Sequence, residues 1–262
     1  MSTKQKGYIF YIPVILLLVL FAIAMLFPFV WMVLGSLTPK AELFAVPMKL
    51  IPSTWMWKNY VDVFKKIPFL QFYINTAKVA VLSTAGQVIT CALSAYAFAK
   101  LQFKGRDFLF ILYLGTMMIP YQVTMIPQYE LINDLHLLNS HMALILLHWF
   151  SPFGVFLLRQ FFVSIPDSLI EAARIDGAGD FRILAQIILP LAKSAVATLV
   201  TLKFLETWND FTAPLIFLNE KAKYTLQLGI RTFQMENGVE YTLILAATTM
   251  SLIPIVLLYM FA

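Results

Sequence analysis

The sequence predicts an all-α integral membrane protein with six transmembrane helices, and three observations carry that expectation. Its 262 residues are 60% hydrophobic and only 13% charged, against about 45–50% apolar and about 25% charged in ordinary soluble chains. A soluble domain of this length has nowhere to hide the excess, so it must face lipid. Six stretches supply the roughly 20 apolar residues that a helix needs to cross the hydrocarbon core. None shows the alternating ten-residue pattern of a membrane β-barrel, and the chain has no internal repeat or low-complexity linker.

The expected spans are 9–36, 71–99, 107–127, 141–162, 191–217 and 241–262. Lys4 and Lys6 give the N-terminus a positive start, but the apolar run Tyr8 to Leu37 exceeds the roughly 7–15 residues of a signal-peptide core. Ala22-Ile23-Ala24 resembles a cleavage site only faintly, and more spanning sequence follows it. The first span is therefore expected to be retained. Between spans one and two, Pro39, Pro47, Pro52 and Pro68 rule out one continuous helix. Trp55, Trp57 and Tyr60 are aromatics of the membrane–water boundary, which suggests a short interfacial or extracellular helix around Thr54–Lys65. Residues 1–70 thus form one division, the first span with its extracellular connector. Residues 71–262 form the second, spans two to six with a distinctive loop at 163–190.

Lys and Arg outnumber Asp and Glu by 19 to 14. In a membrane chain that balance reflects cytoplasmic loops, and no basic cluster interleaved with aromatics supports a nucleic-acid partner. The turn 100–106 holds Lys100, Lys104 and Arg106 whereas 128–140 holds no Lys or Arg, so both termini are expected in the cytoplasm. The single cysteine, Cys91, excludes a disulfide framework and any multi-cysteine metal site. His136, His141 and His148 lack a metal-ligand spacing on one helical turn and read as ordinary loop and interface residues. Pro120, Pro127 and Pro254 are expected to kink their spans. Lys78 is expected to snorkel toward the outer interface.

The loop after span four differs from the rest. Ser168 and Glu171 have the spacing of a capping box, so a short helix is expected from near Leu169 to near Asp176. Gly177 can supply the left-handed residue that ends it. Gly179-Asp180 can cap a second helix, closed by Pro190 at the entry to span five. Leu169, Ala172, Ala173 and Asp176 share three- and four-residue spacing, which gives a shallow strip that another surface can approach. From local chemistry this is either a docking knob or a hairpin packed on its own bundle.

The motif Glu171-Ala172-Ala173, Gly177, Ile187, Leu189-Pro190 resembles, at fixed spacing and in the corresponding loop, the signature of bacterial ABC-importer permeases. Asn75-Thr76, Phe103-Lys104-Gly105-Arg106, Trp208-Asn209-Asp210-Phe211 and Pro214-Leu215 are similar to the carbohydrate-uptake branch. Six spans without a large extracellular insert resemble its MalG-type subunit. The similarity covers about residues 9–262. It implies a type I ABC importer permease core in the bacterial inner membrane, with 163–190 as a coupling loop. In that family the loop seats in a groove of the ATPase subunit, so Glu171, Ala172, Ala173, Asp176, Gly177, Ile187, Leu189 and Pro190 take the ATPase-coupling role by resemblance. The implied partners are a MalF-type permease subunit, two copies of an ATPase that bind the ATP and Mg, and an extracellular substrate-binding protein. No cofactor is expected on this chain. Family members usually continue past span six with a cytoplasmic tail that touches the ATPase; this sequence stops at Ala262, and no tail contact is carried over.

Lys203, Glu206 and Asp210 share one face of span five. Ionisable groups at membrane depth face a bundle interior or a water-filled cavity. They read either as lining of a translocation pathway, with Asn209 beside them and Trp208 offering a ring to a sugar, or as a Lys203–Glu206 pair that holds the bundle together. No Gly-x-x-x-x-Gly-Lys-Ser/Thr loop is present to hold nucleotide phosphates, so ATP hydrolysis is expected in separate subunits. Two rivals have less support. An ion-coupled secondary transporter is expected to show repeated halves, and none is seen; an intramembrane enzyme needs a catalytic constellation inside the membrane, and neither His-Glu-x-x-His nor Gly-x-Ser-x-Gly is present. An ABC importer of a polyol or a sugar phosphate stays open as an alternative substrate class.

Overall fold

The computed structural model describes residues 3–47, 49–234 and 239–261, of which 3–12 and 261 are described by backbone alone. Ala262, the expected end of span six, and the side chains of Lys4 and Lys6 lie outside the described residues. In chain order the helices are α1 (Thr3–Ser36), α2 (Lys58–Lys66), α3 (Phe69–Lys100), α4 (Arg106–Gly115), α5 (Tyr121–Asp134), α6 (His141–Leu147), α7 (Pro152–Ser164) and α8 (Asp167–Ile175). They continue with α9 (Asp180–Ile183), α10 (Leu189–Leu191), α11 (Lys193–Trp208), α12 (Thr212–Phe217), α13 (Leu226–Ile230), α14 (Tyr241–Ser251) and α15 (Ile253–Phe261). No strand occurs among the described residues.

Three helices are long and apolar enough to cross a membrane by themselves: Pro13–Ser36, Phe69–Lys100 and Tyr241–Met260. The other three expected spans are bent pairs, so six crossings result only if each pair counts as one. Span three, expected as continuous over 107–127, stops at Met118 and resumes at Tyr121 after a turn of 100°. The cause is Pro120, which has no N–H to continue the ladder and holds Ile119 extended (φ −82°, ψ 115°). Span four breaks between α6 and α7 with a 44° bend. There Ser151 caps α7 by accepting a 3.1 Å bond from the Gly154 N–H, and Pro152 occupies the first helical position. Span five, expected over 191–217, is entered through an 85° bend and broken again at Asn209–Phe211.

The chain forms two compact units, residues 1–69 with 230–253 and residues 70–229 with 254–262. In the first, α1 packs on α14, and a β-carbon at Gly35 would stand 2.7 Å from the Leu245 side chain. The connecting segment is fastened by polar contacts. Asn59 donates to the Ser36 carbonyl at 2.8 Å, the Tyr60 hydroxyl meets Ser36 Oγ at 2.7 Å, and Glu240 receives Lys40 at 3.2 Å and Lys66 at 3.4 Å. The interfacial helix expected around Thr54–Lys65 is α2, which begins only at Lys58, and the Met56 N–H before it bonds to the Leu37 carbonyl at 2.8 Å. From Val14 to Val30, α1 leaves its large apolar side chains largely exposed, as a lipid-facing helix must.

The second unit is organised around α3, whose small residues let neighbours approach. A β-carbon at Gly86 would fall 1.9 Å from the Trp149 indole, and one at Gly154 would fall 2.7 Å from Cys91 Sγ. One hydrophobic core joins Cys91, Ala95, Leu158, Phe162, Ile188 and Leu199, and it also takes in Ile170 and Ala173 of α8. Asn75, singled out in the sequence, donates at 3.0 Å to the carbonyls of both Ala222 and Tyr224, while Thr76 accepts the Leu226 N–H at 2.7 Å. These bonds hold the segment after α12 against the start of span two. Lys78 is exposed, in keeping with a snorkelling lysine.

Candidate functional site

Two constellations stand apart from the packed core, and both lie within the second unit. The first is the hairpin α8–α9. Ser168 and Glu171 form no capping box; α8 starts at Asp167, two residues earlier than expected, with Pro166 in the flanking position and no side-chain cap. Lys100 fastens the chain entering the helix, donating to the Ile165 carbonyl and to Asp167, each at 2.6 Å. Its bond and charge hold the Asp167 carboxyl below the usual range. The far end matches expectation closely. Gly177 has φ +80°, and the Ala178 N–H reaches the Ala173 carbonyl at 2.9 Å while the Gly177 N–H reaches Arg174 at 3.0 Å. Those two bonds define a Schellman ending.

Across the turn, Asp180 Oδ1 accepts from Arg174 at 3.0 Å and from the Tyr96 hydroxyl at 2.9 Å. The hairpin is thereby tied to α3. The strip of small residues divides: Ala173 turns inward with Ile170, while Ala172, Glu171 and Asp176 face out. Beside them Ile175 is 87% and Phe181 79% exposed, an apolar surface left open by the described residues. Ile187, Leu189 and Pro190 sit in the link to span five. A proline at 190 would press its ring on the Gln186 carbonyl in an ideal helix. The chain answers with a π turn over Leu184–Ile188, in which the Leu189 N–H bonds to the Leu184 carbonyl, and bends at Ala192 (φ −97°, ψ 21°).

The second constellation is a cavity of about 570 Å³, placed where the helices break. Met117 and Tyr121 flank the Pro120 bend, His148 to Pro152 form the break in span four, and Asp210 sits at the break after α11. Irregular backbone at membrane depth is tolerated where it lines a cavity. Lys203, Glu206 and Asp210 come together here as their spacing implies. Lys203 Nζ lies 3.2 Å from Glu206 Oε1 and 3.0 Å from His148 Nδ1. An ammonium only donates, so Nδ1 accepts and the ring proton sits on Nε2, 3.4 Å from Asp210 Oδ2. Asp210 Oδ1 also takes the N–H groups of Thr212 and Ala213 at 2.9 and 3.2 Å, which fixes the carboxylate.

Two expected pathway residues lie elsewhere. Trp208 is buried, stacked on Phe204 at 5.4 Å and met edge-on by Tyr73 at 5.2 Å, so its ring is occupied by the core and not offered to a sugar. Asn209 is exposed and donates to the Leu205 carbonyl at 2.9 Å, outside the cavity lining. Conversely, His148 is no ordinary interface histidine, and Gln87, Tyr121 and Phe150 were not singled out by the sequence. The signal available for His148 and Phe150 was the run Ser151-Pro152, a capped proline that breaks the helix beside them.

Residues 87–262 match the family described as the binding-protein-dependent transport system inner membrane component. The chain belongs to this family. The binding-protein-dependent permease is 33% identical over 238 residues to the arabinooligosaccharides transport system permease protein AraQ of Halalkalibacterium halodurans, covering 90% of this chain and 85% of that one. It is 33% identical over 247 residues to the sn-glycerol-3-phosphate transport system permease protein UgpE of Yersinia pestis, covering 91% and 88%. Among solved structures it superimposes with a TM-score of 0.85 and 27% identity on a chain of a bacterial ABC transporter involved in import of the acidic polysaccharide alginate, over 99% of this chain and 96% of that one. As a member of this family it is an ABC importer permease with the type I fold, a multi-pass inner membrane protein, and the resemblance carried by Glu171 to Pro190 is borne out.

Proposed function

We propose that this permease is the non-catalytic, MalG-type subunit of a carbohydrate importer and that the α8–α9 hairpin transmits the ATPase stroke to spans four and five. The observation that carries the reading is the hairpin's construction. It is rigid at its turn, tied to α3 through Tyr96 and Asp180, continuous with span five through the π turn, and apolar on its open face at Ile175 and Phe181. Glu171, Ala172, Asp176 and Gly177 lie on or beside that face, while Ala173, Ile187, Leu189 and Pro190 join it to the bundle. ATP and Mg belong to two partner ATPase subunits, the pathway is completed by a MalF-type subunit, and an extracellular binding protein delivers the solute. Both termini face the cytoplasm in this arrangement.

The cavity holding Lys203, Glu206 and Asp210 is this subunit's share of the pathway. Closure of the ATPase dimer pushes on the hairpin, and the broken helices around the cavity give way between inward and outward access. Similarity to permeases for arabinooligosaccharides and for sn-glycerol-3-phosphate supports a sugar or sugar-derived solute. Co-purification of the tagged chain from membranes, followed by uptake into proteoliposomes, tests the reading. Uptake that needs ATP and the binding protein is the expected result. Uptake driven by an ion gradient without ATP would return the chain to the secondary-transporter class.

A further inference from the structure

We infer that this chain's side of the pathway is built for an uncharged, hydroxyl-rich solute and works against solutes bearing a carboxylate or phosphate. The inference rests on the reading of the cavity as part of the pathway. The relatives leave the matter open, since arabinooligosaccharides are neutral whereas glycerol phosphate and alginate are anions. The chemistry of the cavity separates them.

Charge is the first ground. The ionisable lining is one cation, Lys203, against two carboxylates, Glu206 and Asp210, with His148 between them. With the imidazole neutral the set is net negative, and with it protonated the set is only balanced. Among the described residues no arginine lines the cavity, so the bidentate fork that suits carboxylate or phosphate is missing from this lining. Lys203 is already committed: its ammonium is held by Glu206 at 3.2 Å and by His148 at 3.0 Å, and its side chain is 4% exposed. An entering anion would have to take the lysine from its partners and approach two carboxylates.

Hydrogen-bond polarity is the second ground. Gln87 lines the same cavity at 3% exposure, and its carboxamide oxygen has no hydrogen-bond partner among the described residues. A buried acceptor without a partner calls for a donor. A hydroxyl can donate to it, whereas an ionised carboxylate or phosphate cannot. Glu206 and Asp210 add further acceptors for O–H donors, and the His148 Nε2–H, which makes no hydrogen bond among the described residues, already faces Asp210 Oδ2 at 3.4 Å. The aromatic residues Tyr121, Phe150 and Phe153 complete it, supplying apolar faces beside few polar groups, as small-molecule sites do.

The test uses the intact importer, with its binding protein and ATPase subunits, in proteoliposomes. Uptake is measured for neutral oligosaccharides of arabinose, xylose and glucose and for galacturonate oligosaccharides of equal length, in wild type, Glu206→Gln and Gln87→Leu. Comparing each variant with wild type cancels whatever selectivity the binding protein imposes. The wild type should favour a neutral solute. Glu206→Gln should raise the acidic-to-neutral uptake ratio about tenfold by removing a like charge, and Gln87→Leu should lower neutral uptake without raising acidic uptake. Preference of the wild type for the acidic series, carriage of no neutral oligosaccharide, or an unchanged ratio in Glu206→Gln with both uptakes reduced would overturn the charge inference while leaving the pathway reading in place. If neither variant alters the uptake of either class, the cavity lies outside the pathway and both fall together.

Discussion

Replacing Gly177 isolates the turn of the hairpin from everything around it. The residue sits at φ +80°, and a β-carbon there would meet nothing within 4 Å. Any penalty is therefore conformational and not a clash. Left-handed backbone costs an L-residue about 1–2 kcal/mol, so Gly177→Ala should strain the turn by that amount. A β-branched side chain adds to it, and if the turn opens, the two amide bonds from Gly177 and Ala178 are lost at about 1 kcal/mol each. Gly177→Val thus either bears strain above about 1–2 kcal/mol with the turn closed or opens it and forfeits about 2 kcal/mol of amide bonds, enough to let α8 and α9 move independently. Gly177→Asn is the mild member of the series, because asparagine tolerates this region. The assay is the number of solute molecules carried per ATP hydrolysed in proteoliposomes, with amide hydrogen exchange over 167–180 measured alongside. Coupling should fall in the order Gly, Asn, Ala, Val while the protein still inserts and hydrolysis continues. Wild-type coupling in Gly177→Val, with faster exchange at the turn, would refute the idea that a rigid hairpin carries the stroke.

Gly86→Ala should destabilise the detergent-solubilised protein by about 1–3 kcal/mol, the usual cost of overpacking, because the new methyl would enter the Trp149 ring; thermal unfolding reads this, and adding Trp149→Ala should recover part of the loss. Lys203→Met combined with Glu206→Gln removes the ion pair as a unit, so complex assembly on gel filtration should persist while substrate preference shifts; loss of assembly would instead make the pair a bundle fastener. Asp167 is held ionised by Lys100, so its folded-state pKa lies below its unfolded one. Its contribution is present above the unfolded value near 4 and is lost as pH falls through the depressed folded value. Limited proteolysis of the α7–α8 joint should therefore be flat from pH 7 to about 5 and rise only in acid below about 4, whereas Asp167→Asn should be cut readily at every pH.

The long helices were legible because composition alone dictates them: from Val14 to Val30, α1 presents exposed apolar side chains, as its sequence requires. The three bent spans were not, because an apolar run of the right length reads the same whether straight or broken. Pro120 and Ser151-Pro152 marked the breaks, but a proline inside a span commonly only kinks it, and the 100° turn needs Ile119 extended as well. In the hairpin, Gly177 was readable because left-handed backbone has few candidates, while the Ser168–Glu171 box failed because the helix begins at Asp167, which puts Ser168 inside it, and Asp167 is held there by Lys100, 67 residues away in sequence. The same distinction separates Asp210 from Trp208. Spacing places Lys203, Glu206 and Asp210 on one face, yet only tertiary packing decides that the indole next to them turns into the core. His148 entered the site through a partner 55 residues distant, which no local pattern encodes.

Proximity of the hairpin to a partner ATPase is the most direct test of the coupling role. A photo-crosslinking amino acid at Ile175, whose side chain is almost fully exposed, can be activated in the assembled importer with and without ATP. The expected result is a covalent adduct between position 175 and the ATPase subunit, with a yield that changes with nucleotide. Adducts confined to lipid or to this chain's own helices, in an importer that still carries solute at the expense of ATP, would contradict the assignment of the hairpin as the coupling element.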